Sequence, residues 1–304
     1  VYEQLAVEDI QMAADVLRTV YNRTEGRDGF VSLEVSPHLA HDAEATVAEA
    51  HRLHAAVDRP NLMIKVPATE AGVPAIRQLI ADGVCVNVTL LFAVDSYEQV
   101  ANAYLQGLED RVARGTDIRK LASVASFFVS RIDTLVDGWL EKAAAECHEP
   151  RRKERLLVLR GQVAIANAKI AYERFKSMVS TPRWKTLAAK GGNVQRLLWA
   201  STSTKNPRYS KTLYVDALIG PDTVNTLPPE TIEAFRHAKV TGPTLTTGLD
   251  EARQLLAELA SLGVSLSAAT DQLLVEAVRK FAEPFDKLMT AIDIKRQALL
   301  PALA

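Results

Sequence analysis

Cysteine is scarce in this chain: two residues in 304, Cys85 and Cys147. Two cysteines build no disulfide framework and offer no metal-ligand spacing, and a reducing, cytoplasmic setting is the natural expectation. Net charge is also close to nothing. Lys and Arg number 36 against 37 Asp and Glu, a formal charge of -1, which argues against a protein that tracks nucleic acid by bulk charge. No apolar run approaches the roughly 20 residues that a spanning helix needs. No membrane partner is therefore expected, and the charged, helix-patterned start does not read as a signal peptide. No glycine-rich loop of the dinucleotide or P-loop type follows any strand. His38, His41, His51 and His54 cluster in sequence, but no cysteine or carboxylate stands at metal-site spacing. They read as a solvated loop and helix, and neither a metal nor a cofactor is expected. Low-complexity segments, long linkers and short-period repeats are absent too.

What the chain does have is alternation of two periods. Hydrophobic residues make up 48% and charged residues 24%, the balance of a soluble globular protein. Helical spacing runs through 3–23 and 42–57, from a cap at Thr69 to Asp82 with Gly83 as the stop, and through 94–113. It continues through most of 133–181, then 249–262 and 267–300. Six stretches of strand period lie between: 30–36, 61–68, 84–92, 121–130, 195–205 running into a polar loop, and 222–229 closed by Pro228 and Pro229. The charged run Arg151–Arg155 reads as a solvated joint between two helices. Strand followed by helix, repeated, is the pattern of a parallel sheet with right-handed crossovers. Strands buried on both faces are apolar throughout, whereas these are apolar on one side only. An open doubly wound sheet would press Glu34, Lys65 and Asn87 onto apolar helices. An α/β fold of the TIM (β/α)8 barrel type is favoured, with residues 1–304 as one domain.

The segment NLMIKVPAT (61–69) organises the functional reading. Leu62, Ile64 and Val66 share one face of this strand, and Lys65 stands in the middle of the other. A buried ammonium is costly, so it is either paired or held at a lowered pKa. A neutral lysine is a nucleophile able to form a Schiff base with a carbonyl. Glu34, Asn87, Thr89, Ser126 and Ser203 fall on the polar faces of the other strands or their continuations, and in a barrel those faces converge. Taken singly, each has a plain structural explanation. Glu34 could simply pair with Lys65, Asn87 could bond Thr89, small serines could fill a tapered lumen, and Arg131 could be a surface residue at a helix start. Five strands each placing a polar group on the lumen side tip the balance, because a lumen filled for stability alone favours Val, Ile and Leu. Lys205, after a late strand, suits anion binding.

Five motifs, in this order and spacing, resemble the transaldolase family: VSLEVSP (31–37), NLMIKVPAT (61–69), VNVTLLF (86–92), SVASFFVSRID (123–133) and WASTSTKNP (199–207). The resemblance covers the whole chain and implies a class I Schiff-base enzyme of the pentose phosphate pathway. It also implies sugar-phosphate substrates. Lys65 would attack C2 of fructose 6-phosphate or sedoheptulose 7-phosphate and hold a dihydroxyacetone unit for an acceptor such as glyceraldehyde 3-phosphate or erythrose 4-phosphate. Glu34 would move protons through a water held by Thr89, and Asn87 would bond a dihydroxyacetone hydroxyl. Ser126, Arg131, Ser203 and Lys205 would hold phosphate, with Phe128 as an aromatic wall. Relatives include dimers, so a homodimer is admitted. The chain departs from the family in having Phe92-Ala93 where Phe-Ser is usual. It also lacks the aspartate of the family's first strand and the Thr-Ser/Thr-Asn-Pro motif of the second. The resemblance therefore implies that two N-terminal βα units are missing, and that this chain forms an imine more readily than it cleaves carbon–carbon bonds. A different lysine-dependent barrel aldolase and a non-catalytic remnant stay open as alternatives.

Overall fold

The computed structural model describes residues 1–238, 240 and 242–299. The last residue of the helix expected over 267–300, and the end of the domain expected over 1–304, lie outside the described residues. The chain opens with helix α1 (Tyr2–Arg23), then β1 (Val31–Glu34), α2 (Ala43–Val57), β2 (Leu62–Pro67), α3 (Gly72–Asp82), β3 (Val86–Leu91) and α4 (Val94–Ala113). It continues through β4 (Ser123–Phe128), α5 (Ser130–Glu146), α6 (Pro150–Val158), α7 (Val163–Ser180), α8 (Pro182–Ala188) and β5 (Gln195–Ala200). The remainder is α9 (Leu213–Ala217), β6 (Thr223–Asn225), α10 (Pro229–Phe235), α11 (Leu249–Ser261) and α12 (Leu266–Leu299).

The six strands form one parallel sheet in sequence order, β1 to β6. Among the described residues no ladder joins β1 to β6, so the sheet is not closed by hydrogen bonds. It nevertheless wraps. Strands lie about 4.8 Å apart, so a flat sheet would hold β1 and β5 roughly 19 Å from each other. Instead the Arg196 guanidinium on β5 donates to the Arg27 carbonyl at 2.6 Å and to Asp28 at 3.0 Å, just ahead of β1. Arg27 also pairs with Asp222, just ahead of β6. One face of the wrapped sheet carries Ile64, Val66, Val86, Val88, Ala125, Phe127, Leu197 and Trp199, all buried in the main apolar core. The other face looks into a cavity.

Local chemistry accounts for the element ends. Asp42 caps α2 by accepting from the Ala45 amide at 2.9 Å. Gly83 ends α3 in a left-handed conformation. The Thr69 hydroxyl accepts from the Gly72 amide at 3.0 Å, so it serves the start of α3 from three residues upstream. Gly72 itself is obligatory, because a Cβ there would sit 1.9 Å from the Pro67 carbonyl oxygen.

Two expectations need correction. Arg151–Arg155 is not a joint but the body of α6. Pro150 opens that helix at its first position, and Arg, Lys and Glu are good helix formers. Every residue of the run is exposed, as expected. The sixth strand is three residues long, not eight, because Pro228 and Pro229, the cap and first residue of α10, follow within four residues of its end.

Candidate active site

Alternating residues of all six strands line one cavity of about 490 Å³: Ser32 and Glu34, Met63 and Lys65, Asn87 and Thr89, Ser126 and Phe128, Leu198 and Ala200, and Val224. The alternation is the pleat itself, since every second side chain faces inward. Register explains the centre of the site. Glu34 pairs with Lys65 across β1 and β2, and Lys65 pairs with Asn87 across β2 and β3. Three polar residues thus form one row across adjacent strands.

Lys65 Nζ donates to Glu34 Oε2 at 3.2 Å. The strand lysine is therefore paired. Both side chains keep partial contact with the cavity, at 24% and 30% exposure, so this is not a sealed structural ion pair. Asn87 Nδ2 donates to Ser32 Oγ at 3.0 Å, and Ser126 Oγ donates to Asn87 Oδ1 at 2.7 Å. The Asn87–Thr89 bond weighed from sequence is not formed. These partners fix the orientation of the Asn87 amide.

Thr89 differs from its neighbours. It is fully buried, and its hydroxyl has no hydrogen-bond partner. A bulge in the β3–β4 pairing lies between Val88 and Leu91, with Leu90 at φ 61°. Bulges and left-handed non-glycine residues recur at functional sites. An orphaned buried hydroxyl at such a point costs stability and has the chemistry to hold a water or a substrate hydroxyl.

The cationic residues sit at the C-terminal ends of β4 and β5. Arg131 lies in the first turn of α5, directly behind β4. One of its guanidinium nitrogens, Nη1, is buried without a partner, and burial pushes its pKa below the usual arginine range. The guanidinium lies over Phe128 at 4.9 Å and over Phe281 of α12 at 6.0 Å. Lys205 Nζ donates to Ser203 Oγ at 2.7 Å in the loop after β5. The strand ends that carry them are adjacent, because Phe128 registers with Ala200 and the Ser130 amide donates to the Ser201 carbonyl at 3.0 Å. Arg131, Ser203 and Lys205 do not line the central cavity, whereas Glu34, Lys65, Asn87, Thr89, Ser126 and Phe128 do.

Sequence reasoning passed over two residues. Ser32, two positions before Glu34, is visible from the same alternation and orients Asn87. Phe281 carries no such signal. It sits in α12, more than 200 positions from Lys65, yet its ring lies 5.6 Å from Lys65 Nζ. Among the described residues no cluster of His, Cys, Asp and Glu could hold a metal ion.

The family model described as Transaldolase/Fructose-6-phosphate aldolase matches residues 1–292. The chain is 50% identical to "Transaldolase 2" of Nostoc sp. over 304 aligned residues, covering 99% of this chain and 80% of that protein. It is 46% identical to "Transaldolase" of Trichodesmium erythraeum, with the same coverage of each. It is 51% identical to "Transaldolase" of Parafrankia sp. over 289 residues, 95% of this chain and 76% of that one.

Proposed function

The chain belongs to the transaldolase/fructose-6-phosphate aldolase family and is an enzyme of the transaldolase type; we propose that it transfers a dihydroxyacetone unit between sugar phosphates through a Schiff base on Lys65. The observation that carries this reading is the row Glu34–Lys65–Asn87, with Lys65 Nζ 3.2 Å from the Glu34 carboxylate inside a cavity large enough for a sugar phosphate.

The pair supplies the first step. Proton transfer from Lys65 to Glu34 leaves a neutral amine beside a carboxylic acid. The amine attacks C2 of fructose 6-phosphate or sedoheptulose 7-phosphate. Glu34 returns the proton through a water on the Thr89 hydroxyl, and the carbinolamine loses water to give the imine. As the C4 hydroxyl gives its proton to the Glu34 carboxylate through that water, cleavage between C3 and C4 releases an aldose phosphate and leaves a three-carbon enamine on Lys65. The three carbons left on Lys65 add to an acceptor such as glyceraldehyde 3-phosphate or erythrose 4-phosphate. Asn87 and Ser126 hold the hydroxyls of the three-carbon unit, and Phe128 walls the site. Arg131, Ser203 and Lys205 form the phosphate seat at the strand ends. The unpartnered buried N–H of Arg131 supports this role, because charge-assisted bonds to phosphate oxygens would satisfy it.

Among the described residues no helix is long and apolar enough to cross a membrane. A cytoplasmic setting is part of the proposal, and a homodimer is its simplest assembly, readable from the mass in solution. The defining assay mixes fructose 6-phosphate with erythrose 4-phosphate and follows sedoheptulose 7-phosphate. Lys65→Ala should remove all product, and unphosphorylated fructose should be a much poorer donor. Undiminished turnover by Lys65→Ala would refute the reading, and equal use of fructose would refute the phosphate seat.

A further inference from the structure

Three carboxylates on one face of α5, at i, i+4 and i+8, each hold two partners from opposite sides. Asp133 accepts from the Ala164 amide at 2.8 Å and from the Tyr214 hydroxyl at 3.0 Å. Asp137 accepts from the Gly161 amide at 3.0 Å and from the Tyr209 hydroxyl at 2.6 Å. Glu141 accepts from Arg160 at 2.6 Å and from Arg208 at 3.1 Å. In every rung one partner belongs to the α6–α7 turn or the start of α7 (160–164) and the other to the segment after β5 (208–214). Gly161 lets the middle rung close: a Cβ there would meet the Tyr209 ring at 2.8 Å, and the residue has φ +72°.

The loop between these anchors needs such a device. Its internal bonds are local, Lys205 to Ser203 and the Arg208 amide to Asn206. Its upstream end is tied by the Ser130–Ser201 hydroxyl contact at 2.9 Å and by Thr202 to Asn225 at 2.9 Å. Its downstream end is tied by the carboxylate ladder. Arg131 stands on the same helix as the ladder, two residues before Asp133 begins it. A loop clamped to α5 at both ends keeps Ser203 and Lys205 in fixed relation to Arg131.

We propose that the Asp133–Asp137–Glu141 ladder sets the geometry of the phosphate seat, with Tyr209 and its acceptor Asp137 as positioning residues for the sugar-phosphate end of the substrate. The inference rests on the assignment of Arg131, Ser203 and Lys205 to phosphate. A purely structural ladder would hold α5, α6 and α7 together and leave substrate affinity alone.

The test is borohydride trapping on Lys65 at varied fructose 6-phosphate, with inorganic phosphate as competitor and melting temperature alongside. Tyr209→Phe removes one hydroxyl and keeps the ring. It should raise the half-saturating concentration of fructose 6-phosphate about ten-fold, the size of one lost bond to a charged acceptor. The trapping plateau and the half-saturation for unphosphorylated fructose should not change, and inorganic phosphate should compete more weakly. Asp137→Asn should act in the same direction, and the double variant should be no worse than the poorer single one. Glu141→Gln, at a half-exposed position that does not threaten folding, should give a smaller rise. If Tyr209→Phe lowers the melting temperature but leaves phosphate selectivity intact, the ladder is structural and the inference is wrong. If it weakens fructose and fructose 6-phosphate equally, the inference is also wrong. Lys205→Ala separates the two levels. Should it leave half-saturation unchanged, the phosphate seat itself is misassigned and the inference falls with it. Should Lys205→Ala matter while Tyr209→Phe and Glu141→Gln do not, only the inference fails.

Discussion

Glu34 and Lys65 face each other at 3.2 Å in register across β1 and β2, each about a quarter exposed to the cavity. The proposed mechanism uses this pair to exchange a proton. Glu34→Gln should therefore leave folding nearly unchanged yet slow imine formation by about 10²–10⁴-fold, the usual worth of a positioned acid–base group. Rapid-quench trapping checks this. Thr89 makes the complementary case. Its hydroxyl is buried and unpartnered, so Thr89→Val should stabilise the fold by up to about 1 kcal/mol in thermal unfolding while slowing the same imine step. Gain of stability with loss of rate is the mark of a polar group kept for chemistry. Most of this row could be read from sequence, because side-chain direction in a strand has a fixed period of two. The same rule could have singled out Ser32. Phe281 could not be found that way, since its approach to Lys65 depends on how α12 crosses the sheet, and no local pattern encodes a helix-to-strand contact between residues so far apart.

At the scale of elements, α5 carries the most consequence. Burial pushes the Asp133 carboxyl up to about 7, with the Asp137 charge adding to the rise and the Ala164 amide opposing it. In the unfolded chain the same group titrates near about 3.9. Between those two values the folded state keeps a proton that the unfolded state has lost. Asp133 therefore costs stability progressively as pH rises from about 4 to about 7, and nothing below that window. Asp133→Asn is neutral throughout and can keep both hydrogen-bond partners. Its melting temperature should gain on the parent protein at pH 8 relative to pH 5, and a constant difference would contradict the account. Helix and strand placement was largely legible along the chain, with strand cores falling inside the expected stretches. The misses share a cause. Arg151–Arg155 carries no apolar face, so its charge suggested a joint where Pro150 and good helix formers built α6. The short helices α8, α9 and α10 are too brief to show a period at all.

For the whole molecule, the defining feature is a sheet wrapped far enough that β1 to β6 share one cavity. Parallel order and one-sided polarity pointed to that architecture, but the contacts that draw the outer strands together were not readable. Arg196 reaches across to Arg27 and Asp28 with only 14% of its side chain exposed, whereas the Arg27–Asp222 pair is largely exposed. Exposed pairs contribute about 0–1 kcal/mol; Asp28 is half exposed, but the largely buried Arg196 head also holds the Arg27 carbonyl, a charge-assisted bond worth about 1.5–3 kcal/mol. Arg196→Ala should lower the unfolding midpoint clearly, and Arg27→Ala barely. Equal effects would mean that the wrap does not depend on Arg196. The wrap matters because it gathers Glu34, Asn87, Thr89 and Ser126 around one amine. The most direct test is to incubate the protein with fructose 6-phosphate, reduce it with borohydride, and map the adduct by peptide mass spectrometry. The account predicts a single modified site, Lys65, and no adduct in Lys65→Ala. Label on any other lysine, or none at all in a folded sample, would contradict it.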